Sequence, residues 1–221
     1  VAVADSGSMY DPGPFVYMNK IAVGPDAAKV IDVDAPPTVN LRDIARAKGC
    51  DVDDLAVVIL DRPRHDELIA EVRSTGARIR LITDGDVAGA LMTAWPGSGI
   101  DVLMGVGGTP EGVLAACALK CMGGNIQGKL WPRNNSEVES GTKMGYDFAG
   151  VLDMNDLVQS DNCFFAASGI TDGELLHGVK YYGKGAQTHS LVMRSKSGTV
   201  REVKATHSWD KLMQFSQIGY D

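Results

Sequence analysis

The sequence has no long apolar run, no surplus of positive charge and no basic-then-apolar segment at its start. None of its 221 residues lies in a stretch approaching the roughly 18 apolar residues that a membrane span needs, and no signal-peptide pattern is present. Lysine and arginine number 21 against 28 aspartates and glutamates, which gives a net charge of −7. Nucleic acids and anionic membranes bind basic surfaces, so this charge argues against both as partners. With 44% hydrophobic and 22% charged residues, the composition is that of a globular protein rather than a disordered one.

Cysteine is also scarce, and the four are Cys50, Cys117, Cys121 and Cys163. Zinc binding is one interpretation, because Cys117 and Cys121 are one helical turn apart, but zinc takes about four ligands and no second Cys or His pair has suitable spacing. The alternative is a buried helical stripe through Leu114, Cys117, Ala118 and Cys121. We favour core thiols. Free thiols indicate a reducing compartment, the cytoplasm or, in a photosynthetic eukaryote, the chloroplast stroma.

The start of the chain and its glycine content are both unusual. The first residues, Val1 to Ala4, include no initiator methionine and read like the middle of a strand, so we expect the chain to be part of a longer protein. Glycine is abundant, with 26 residues. This abundance predicts several tight turns or close backbone approaches.

The middle of the chain alternates strand and helix patterns. Apolar runs predict strands at 55–60, 78–83 and 100–104. Each is followed by a turn and a helical pattern, and the helices are predicted to end near Gly76, Trp95 and Met122. Three successive units of this kind predict an α/β fold with a parallel sheet and right-handed crossovers.

The flanks differ from the middle. Before it we predict a strand at 15–23 and a short amphipathic helix at 41–48, and after it residues 122–160 are predicted to be irregular with one short helix. Four further strands are predicted near the C-terminus, the last two joined by a hairpin at Lys196-Ser197-Gly198. They lie at 163–167, 179–182, 188–194 and 199–205. No repeat or linker marks a clean domain boundary.

We therefore expect three regions rather than separate domains. Residues 1–50 form the end of a sheet region and a connecting helix. Residues 51–160 form the parallel α/β region with the functional loops, and residues 161–221 form a strand-rich region.

Charged residues follow the first two of the predicted parallel strands, at the sheet edge where ligands bind in open α/β folds. The turn 61–65 has cationic groups, Arg62, Arg64 and His65, and arginine can hold a phosphate through two hydrogen bonds. In the turn 84–86, Asp84 and Asp86 flank a glycine that allows close backbone approach. Taken singly, these residues are equally well explained as solvated loop charges and a helix N-cap. Their convergence favours a functional site.

The third turn, 105–112, is glycine-rich and is predicted to present free amides at a helix N-terminus, which is an anion site. Glu111 lies in the first turn of that helix, where its alternative role is to stabilise the helix dipole. The turn has two glycines of the dinucleotide fingerprint G-x-G-x-x-G, but Pro110 replaces the third, so we disfavour a nucleotide cofactor. Anion-binding groups beside carboxylates predict a phosphorylated ligand together with a divalent cation.

Five segments in the same order along the chain resemble the class II fructose-1,6-bisphosphatases. They are D-R-P-R-H from Asp61, D-G-D-V from Asp84, G-x-G-G-x-P-E-G-V from Gly105, A-S-G-I-T-D-G from Ala167 and R-S-K-S-G-T-V-R from Arg194. The similarity runs from Val1 nearly to the C-terminus. It is strongest with the photosynthetic branch, whose members hydrolyse both fructose 1,6-bisphosphate and sedoheptulose 1,7-bisphosphate.

The resemblance implies a layered α-β-α-β-α sugar-phosphatase fold and metal-dependent removal of the 1-phosphate. It further implies Mg²⁺ or Mn²⁺ as the cofactor and a homo-oligomer, a tetramer, as the assembly. By position, Glu111 matches a metal ligand of the family. The positions that match substrate contacts are Tyr17, Arg62, Pro63, Arg64, Asp84, Gly85, Asp86 and Gly108. The arginines are expected to bind the distal phosphate, and the two aspartates are expected to accept sugar hydroxyls.

One departure from the family bears on activity. Family members carry, before the position of Val1, an Asp-Pro-Ile-Asp-Gly-Thr motif, further metal-binding carboxylates and the hydroxyl that orients the nucleophilic water. A molecule limited to these 221 residues is therefore expected to have severely impaired phosphatase activity. The alternative function is a non-catalytic sugar-phosphate-binding fragment. A related phosphatase acting on inositol phosphates fits the motifs less well.

Overall fold

The computed structural model describes residues 1–215, which form two β-sheets with helices packed around them. The strands are β1 (Ala2–Val3), β2 (Tyr17–Val23), β3 (Ala56–Leu60), β4 (Arg78–Ile82), β5 (Val102–Gly108), β6 (Asn125–Leu130), β7 (Phe164–Ser168), β8 (Lys180–Tyr182), β9 (Gly185–Arg194) and β10 (Thr199–Ser208). The helices are α1 (Pro37–Lys48), α2 (Asp66–Ser74), α3 (Asp86–Met92), α4 (Thr109–Met122), α5 (Asn135–Lys143), α6 (Met154–Leu157) and α7 (Trp209–Leu212). Residues 216–221, the end of the region predicted at 161–221, lie outside the described residues.

The first sheet has the strand order β4-β3-β5-β2-β6 and confirms the predicted α/β class. Strand β3 pairs in parallel with β4 and with β5, and α2 and α3 connect these strands. Helices cover both faces of β3, so Val57, Val58 and Ile59 are fully buried, as its continuous apolar run predicts. Strand β2 runs antiparallel between β5 and β6, which makes the sheet mainly rather than wholly parallel.

The second sheet is antiparallel and confirms the strand-rich C-terminal part. Its order is β1-β7-β9-β10, with β8 paired to β9. Strands β9 and β10 form the predicted hairpin, and Gly198 takes the left-handed conformation at its turn with φ 59°. A glycine is favoured there because a side chain at positive φ is strained.

The elements stack in layers. Helices α1 and α2 cover one face of the first sheet, where Leu41 and Ile44 pack with residues such as Ile59. Helices α3 and α4 lie between the two sheets, and Leu119 of α4 is buried in the same cluster as Met193 of β9. The far face of the second sheet is largely exposed along β10.

The predicted turn at 105–112 is wrong in its first half. Residues 105–108 continue β5, and each pairs with a residue of β2, in a register that places Gly108 opposite Tyr17. Glycine has low strand propensity, so local sequence favours a turn, whereas a neighbouring strand can still pair with its backbone. Helix α4 then begins directly at Thr109.

The prediction of an irregular segment at 122–160 is also wrong. This segment contains β6 and the two helices α5 and α6. In β6 the buried positions are Ile126, Gly128 and Leu130. Because the middle one is glycine, the sequence does not show the apolar alternation that is typical of a strand. A Cβ on Gly128 would lie 2.7 Å from Sδ of Met18, so the strand's position depends on that glycine.

Three of the cysteines are core thiols, as predicted. Cys117, Cys121 and Cys163 are buried in the layer between the sheets, and Cys50 is half-buried. Hydrogen bonding to Cys163 together with burial raises the pKa of the Cys117 and Cys121 thiols, which keeps both protonated. Within residues 1–215, no helix has the length and apolar character needed to cross a bilayer.

Candidate active site

Predicted site residues gather at the edge of the first sheet where β3, β4 and β5 end. The segment from Arg62 to Arg64 follows β3, and the segment from Asp84 to Asp86 follows β4. Strand β2 runs the opposite way, so its first residue, Tyr17, lies beside the last residue of β5. Chain direction therefore brings together residues that are far apart in sequence.

His65 and Arg64 bind backbone groups of β5 along the part of its edge that has no strand partner. Strand β3 pairs with β5 only at Val102 and Leu103. Further along, the Val106 amide donates to Nε2 of His65 at 2.8 Å. The Val106 carbonyl accepts from Nε and Nη2 of Arg64 at 3.3 and 2.8 Å. Two side chains thus satisfy backbone groups that another strand would otherwise bind.

The interpretation of His65 as a cation of the turn is wrong. The ring is 2% exposed, and Nε2 accepts a hydrogen bond from Val106. Its proton therefore lies on Nδ1, which is 2.7 Å from the Leu60 carbonyl. Burial lowers the pKa of His65, and the nearby charge of Arg64 lowers it further, while the Leu60 hydrogen bond opposes the shift. His65 is therefore a neutral, buried group that supports the turn carrying Arg62 and Arg64.

Tyr17 lies between a cation and an aromatic ring. The guanidinium of Arg64 is 5.5 Å from the Tyr17 ring centroid, and the ring of Trp131 meets Tyr17 edge to face at 6.3 Å. These contacts hold Arg64 over the start of β2. Tyr17, Arg64 and Gly108 therefore form one side of the site.

Arg62 and Asp84 form the other side. Arg62 donates from Nη1 to the Asp61 carbonyl at 2.7 Å and from Nη2 to the Thr83 carbonyl at 2.6 Å, which ties the turn after β3 to the end of β4. Asp84 is exposed and lines a cavity of about 520 Å³ together with Gly85 and the 168–176 loop. Gly85 adopts φ 83°, a left-handed conformation that glycine allows at the entry to α3.

A buried ion pair forms the floor of the site. Lys20 of β2 is 3% exposed, and its Nζ donates to Oδ2 of Asp86 at 2.6 Å and to the Gly108 carbonyl at 2.9 Å. Burial lowers the pKa of Lys20, and the Asp86 carboxylate opposes that shift. Lys20 is not among the site residues that the sequence predicts. The available signal was a charged residue at an inward position of the predicted strand, between Met18 and Ala22.

Two consecutive glycines make room for the two carboxylates. A Cβ on Gly107 would overlap Oδ2 of Asp86, and a Cβ on Gly108 would overlap Oε2 of Glu111. Neither glycine has a positive φ, so the requirement is for space and not for backbone conformation. The two glycines thus allow the Asp86 and Glu111 carboxylates to lie close to the strand.

The residues present suit part of a divalent-cation site. Glu111 is exposed, and no cationic side chain within residues 1–215 forms an ion pair with it. Glu111 and Asp86 lie near the single ammonium of Lys20, so this corner has excess negative charge. Carboxylate oxygens are the ligands that Mg²⁺ and Mn²⁺ prefer. Among the described residues, the one group of three converging ligand side chains, Asp51, Asp53 and Asp54, is exposed and lies outside this edge.

Fewer free backbone amides are present at the start of α4 than the sequence predicts. The Thr109 amide donates to the Val16 carbonyl at 2.8 Å, and Pro110 has no amide hydrogen. Both positions are therefore unavailable to an anion. The cationic side chains of the turns at this edge are Arg62 and Arg64.

Comparison with known proteins gives a consistent match over most of the chain. The family described as bacterial fructose-1,6-bisphosphatase, glpX-encoded, matches residues 1–207. The fructose-1,6-bisphosphatase class 2 of Haemophilus influenzae is 37% identical over 231 residues, which cover 99% of this chain and 69% of the relative. The fructose-1,6-bisphosphatase 1 class 2 of Escherichia coli K12 is 39% identical over 224 residues, which cover 96% of this chain and 66% of the relative. The chain thus spans about two thirds of the length of these relatives.

Proposed function

The chain belongs to the class 2, glpX-encoded fructose-1,6-bisphosphatase family, and from this premise we propose that its protein is a phosphoric monoester hydrolase acting on fructose 1,6-bisphosphate. The reaction proposed is hydrolysis of the 1-phosphate. Since the chain spans about two thirds of its relatives, we assign the activity to the complete natural protein.

One observation carries this proposal: Glu111, a carboxylate with no ion-pair partner within residues 1–215, lies beside the buried Lys20–Asp86 pair at the sheet edge that also carries Arg62 and Arg64. The overlap of a Gly108 Cβ with Oε2 of Glu111 and the Lys20–Asp86 contact define this corner. A site of this kind can hold a cation and a phosphate next to each other. Phosphoryl transfer needs both, because charge develops on the phosphoryl oxygens in the transition state.

Glu111 is the residue that would hold Mg²⁺ or Mn²⁺. Such a cation polarises a phosphoryl oxygen and lowers the pKa of a bound water. A single carboxylate does not make a complete site, since these cations take about six oxygen ligands, including water and phosphate oxygens. At this point Gly108 leaves the space in which Oε2 of Glu111 lies close to the end of β5.

The arginines are proposed to bind the distal phosphate. Arg64 uses Nε and Nη2 for the Val106 carbonyl, and Arg62 uses its two terminal nitrogens for backbone carbonyls. These bonds fix the guanidinium planes before a ligand arrives, which reduces the entropy lost on binding. Asp84 and Asp86 are proposed to accept hydrogen bonds from sugar hydroxyls, with Pro63, Gly85 and Tyr17 as further contacts.

Several finer assignments extend this proposal. We propose sedoheptulose 1,7-bisphosphate as a second substrate, on the resemblance to the photosynthetic branch, and a homotetramer as the assembly. Free buried thiols support a reducing compartment. The division into the regions 1–50, 51–160 and 161–221 stays a prediction.

Phosphate release by the full-length protein tests the proposed function. With Mg²⁺ or Mn²⁺ we expect phosphate from both bisphosphates and none after chelation. Glu111→Ala is expected to lose activity by roughly 100-fold or more. Glu67→Ala is the matched control, because Glu67 is also an exposed glutamate in the first turn of a helix that follows a parallel strand. Full activity of Glu111→Ala contradicts the site assignment. Ligand binding in calorimetry without metal and without turnover favours the alternative of a sugar-phosphate-binding protein.

A further inference from the structure

Lys20 is a charged residue in a part of the core where packing alone favours an apolar side chain. In β2 the side chains of Met18 and Ala22 point into the apolar layer formed with α4, and both are fully buried. Lys20 lies between them on the same face and is 3% exposed. A buried ammonium is costly unless it is paired, and an apolar residue would fit this layer more easily. The lysine therefore serves a purpose other than packing.

The contacts of Lys20 all lead to the candidate site. Its Nζ binds Oδ2 of Asp86 at 2.6 Å and the Gly108 carbonyl at 2.9 Å. Asp86 begins α3, and Gly108 ends β5 next to Glu111. One ammonium, carried by the middle of β2, therefore joins the end of β5 to the start of α3.

Lys20 also determines which part of Asp86 a ligand can reach. Oδ2 is held by Lys20, and a Cβ on Gly107 would overlap it, so this oxygen is fixed against the strand. Within residues 1–215, Oδ1 has no hydrogen-bond partner, and it is not among the fully buried unpaired atoms. Lys20 thus neutralises the Asp86 carboxylate at Oδ2, whereas Oδ1 stays available to a ligand.

We propose that Lys20 is a positioning residue of the reaction, which holds the Asp86 carboxylate with Oδ1 directed at the substrate and fixes the Gly108 carbonyl beside Glu111. This inference rests on the proposed function. It assigns to Lys20 no contact with substrate, and its effect passes through Asp86 and the end of β5. Loss of the ammonium leaves Oδ2 of a buried carboxylate without its partner, so Oδ1 is no longer held in position.

A double-mutant cycle in the full-length protein tests the proposal. The variants are Lys20→Met, Asp86→Asn and the two combined, with kcat/KM for fructose 1,6-bisphosphate as the readout. We expect roughly a 100-fold loss for Lys20→Met, as is typical when a site group is misplaced by about 1 Å. Because Lys20 acts largely through Asp86, the same substitution is expected to cost at least tenfold less in the Asp86→Asn background.

Two controls separate positioning from stability. Lys48→Met removes the partner of Asp101, another lysine–aspartate pair with a 3.1 Å contact that lies outside the site, and is expected to leave kcat/KM unchanged. Lys20→Arg keeps the cation and is expected to recover part of the activity lost in Lys20→Met. If Lys20→Met does not fold, the combined variant, which carries no buried charge, is compared with Asp86→Asn alone.

The outcomes are distinct. Additive losses in the cycle, or a Lys20→Met protein that is less stable yet within threefold of normal kcat/KM, overturn the inference. A combined variant more than tenfold less active than Asp86→Asn also overturns it. If the unsubstituted protein releases no phosphate, the proposed function fails. The inference is then decided by calorimetry with fructose 6-phosphate, whose affinity Lys20→Met should lower at least tenfold and Lys48→Met should not change.

Discussion

Replacement of Gly108 by alanine should abolish most activity while leaving the fold intact. Gly108 has φ −66° and ψ 137°, a conformation that alanine adopts without strain. Substitution of glycine by alanine at such a position typically stabilises a protein by about 0.4–1 kcal/mol through the unfolded state. The backbone therefore gives no reason for the variant to unfold.

The effect on the site follows from the position of Glu111. A Cβ on Gly108 would lie 2.7 Å from Cδ of Glu111, whereas ordinary contact begins at 3.4 Å. The carboxyl group must therefore move by about 0.7 Å or more. Because it is exposed, this movement costs little free energy. Metal–ligand distances tolerate only about 0.2 Å, and a misplacement of about 1 Å can cost roughly 100-fold in rate.

The assay is phosphate release as a function of Mg²⁺ or Mn²⁺ concentration, combined with thermal unfolding. Gly108→Ala is expected to lose roughly 100-fold in kcat/KM with a melting temperature equal to or above normal. Gly183→Ala is the control, because a Cβ there meets no atom within 4 Å. A Gly108→Ala protein that keeps its metal dependence and a kcat/KM within threefold of normal contradicts this role of Gly108.

Gly107→Ala is expected to differ from Gly108→Ala in stability, which makes the two variants a stricter test together. Its Cβ would overlap Oδ2 of Asp86 and lie 3.0 Å from Cε and Nζ of Lys20, and this buried pair cannot swing into solvent. Overpacking of this kind typically costs about 1–3 kcal/mol. Gly107→Ala should therefore lose stability as well as activity, so the two neighbouring glycines are separable by their melting temperatures.

Three further predictions concern the groups around the site and the core. Because burial lowers the pKa of His65, its neutral form stabilises the fold above the unfolded pKa of about 6.5, and that stability is lost as pH falls through the folded pKa. Urea unfolding should show this loss between pH 7 and 5, and His65→Gln should reduce the pH dependence; an unchanged profile contradicts the assignment. Arg64→Lys cannot reproduce the two bonds to Val106 and should raise KM roughly tenfold or more with a smaller effect on kcat, as steady-state kinetics would show. In native protein, iodoacetamide should label the half-buried Cys50 first, and mass spectrometry should find Cys117 modified only after denaturation; early labelling of Cys117 would show that the core opens.

Residue type and local period were enough to predict most of the fold. The apolar run of β3 and the alternation with α2 and α3 follow from burial on both faces of a parallel strand. Gly49 and Gly198 mark a helix end and a hairpin because both need left-handed backbone. These features depend on neighbours in the chain, so the sequence carries them directly.

The glycine segment shows where local pattern fails. Residues 105–108 form a strand because β2 pairs with them, and no local signal reports a partner some 85 residues earlier. The same holds for β6, where Gly128 interrupts the alternation to make room for Met18. A glycine required for close approach looks in sequence like a glycine required for a turn.

Residue type, spacing and resemblance to a family were enough to predict the α/β class, the order of elements from β3 to α4, and the segments that carry Arg62, Arg64, Asp86 and Glu111. How these groups are held depends on the folded structure. It placed Lys20 against Asp86, made His65 a neutral support instead of a cation, and gave Val106 side-chain partners in place of a strand. Charge, protonation and hydrogen bonding depend on burial and on residues distant in sequence, which come together only when the chain folds.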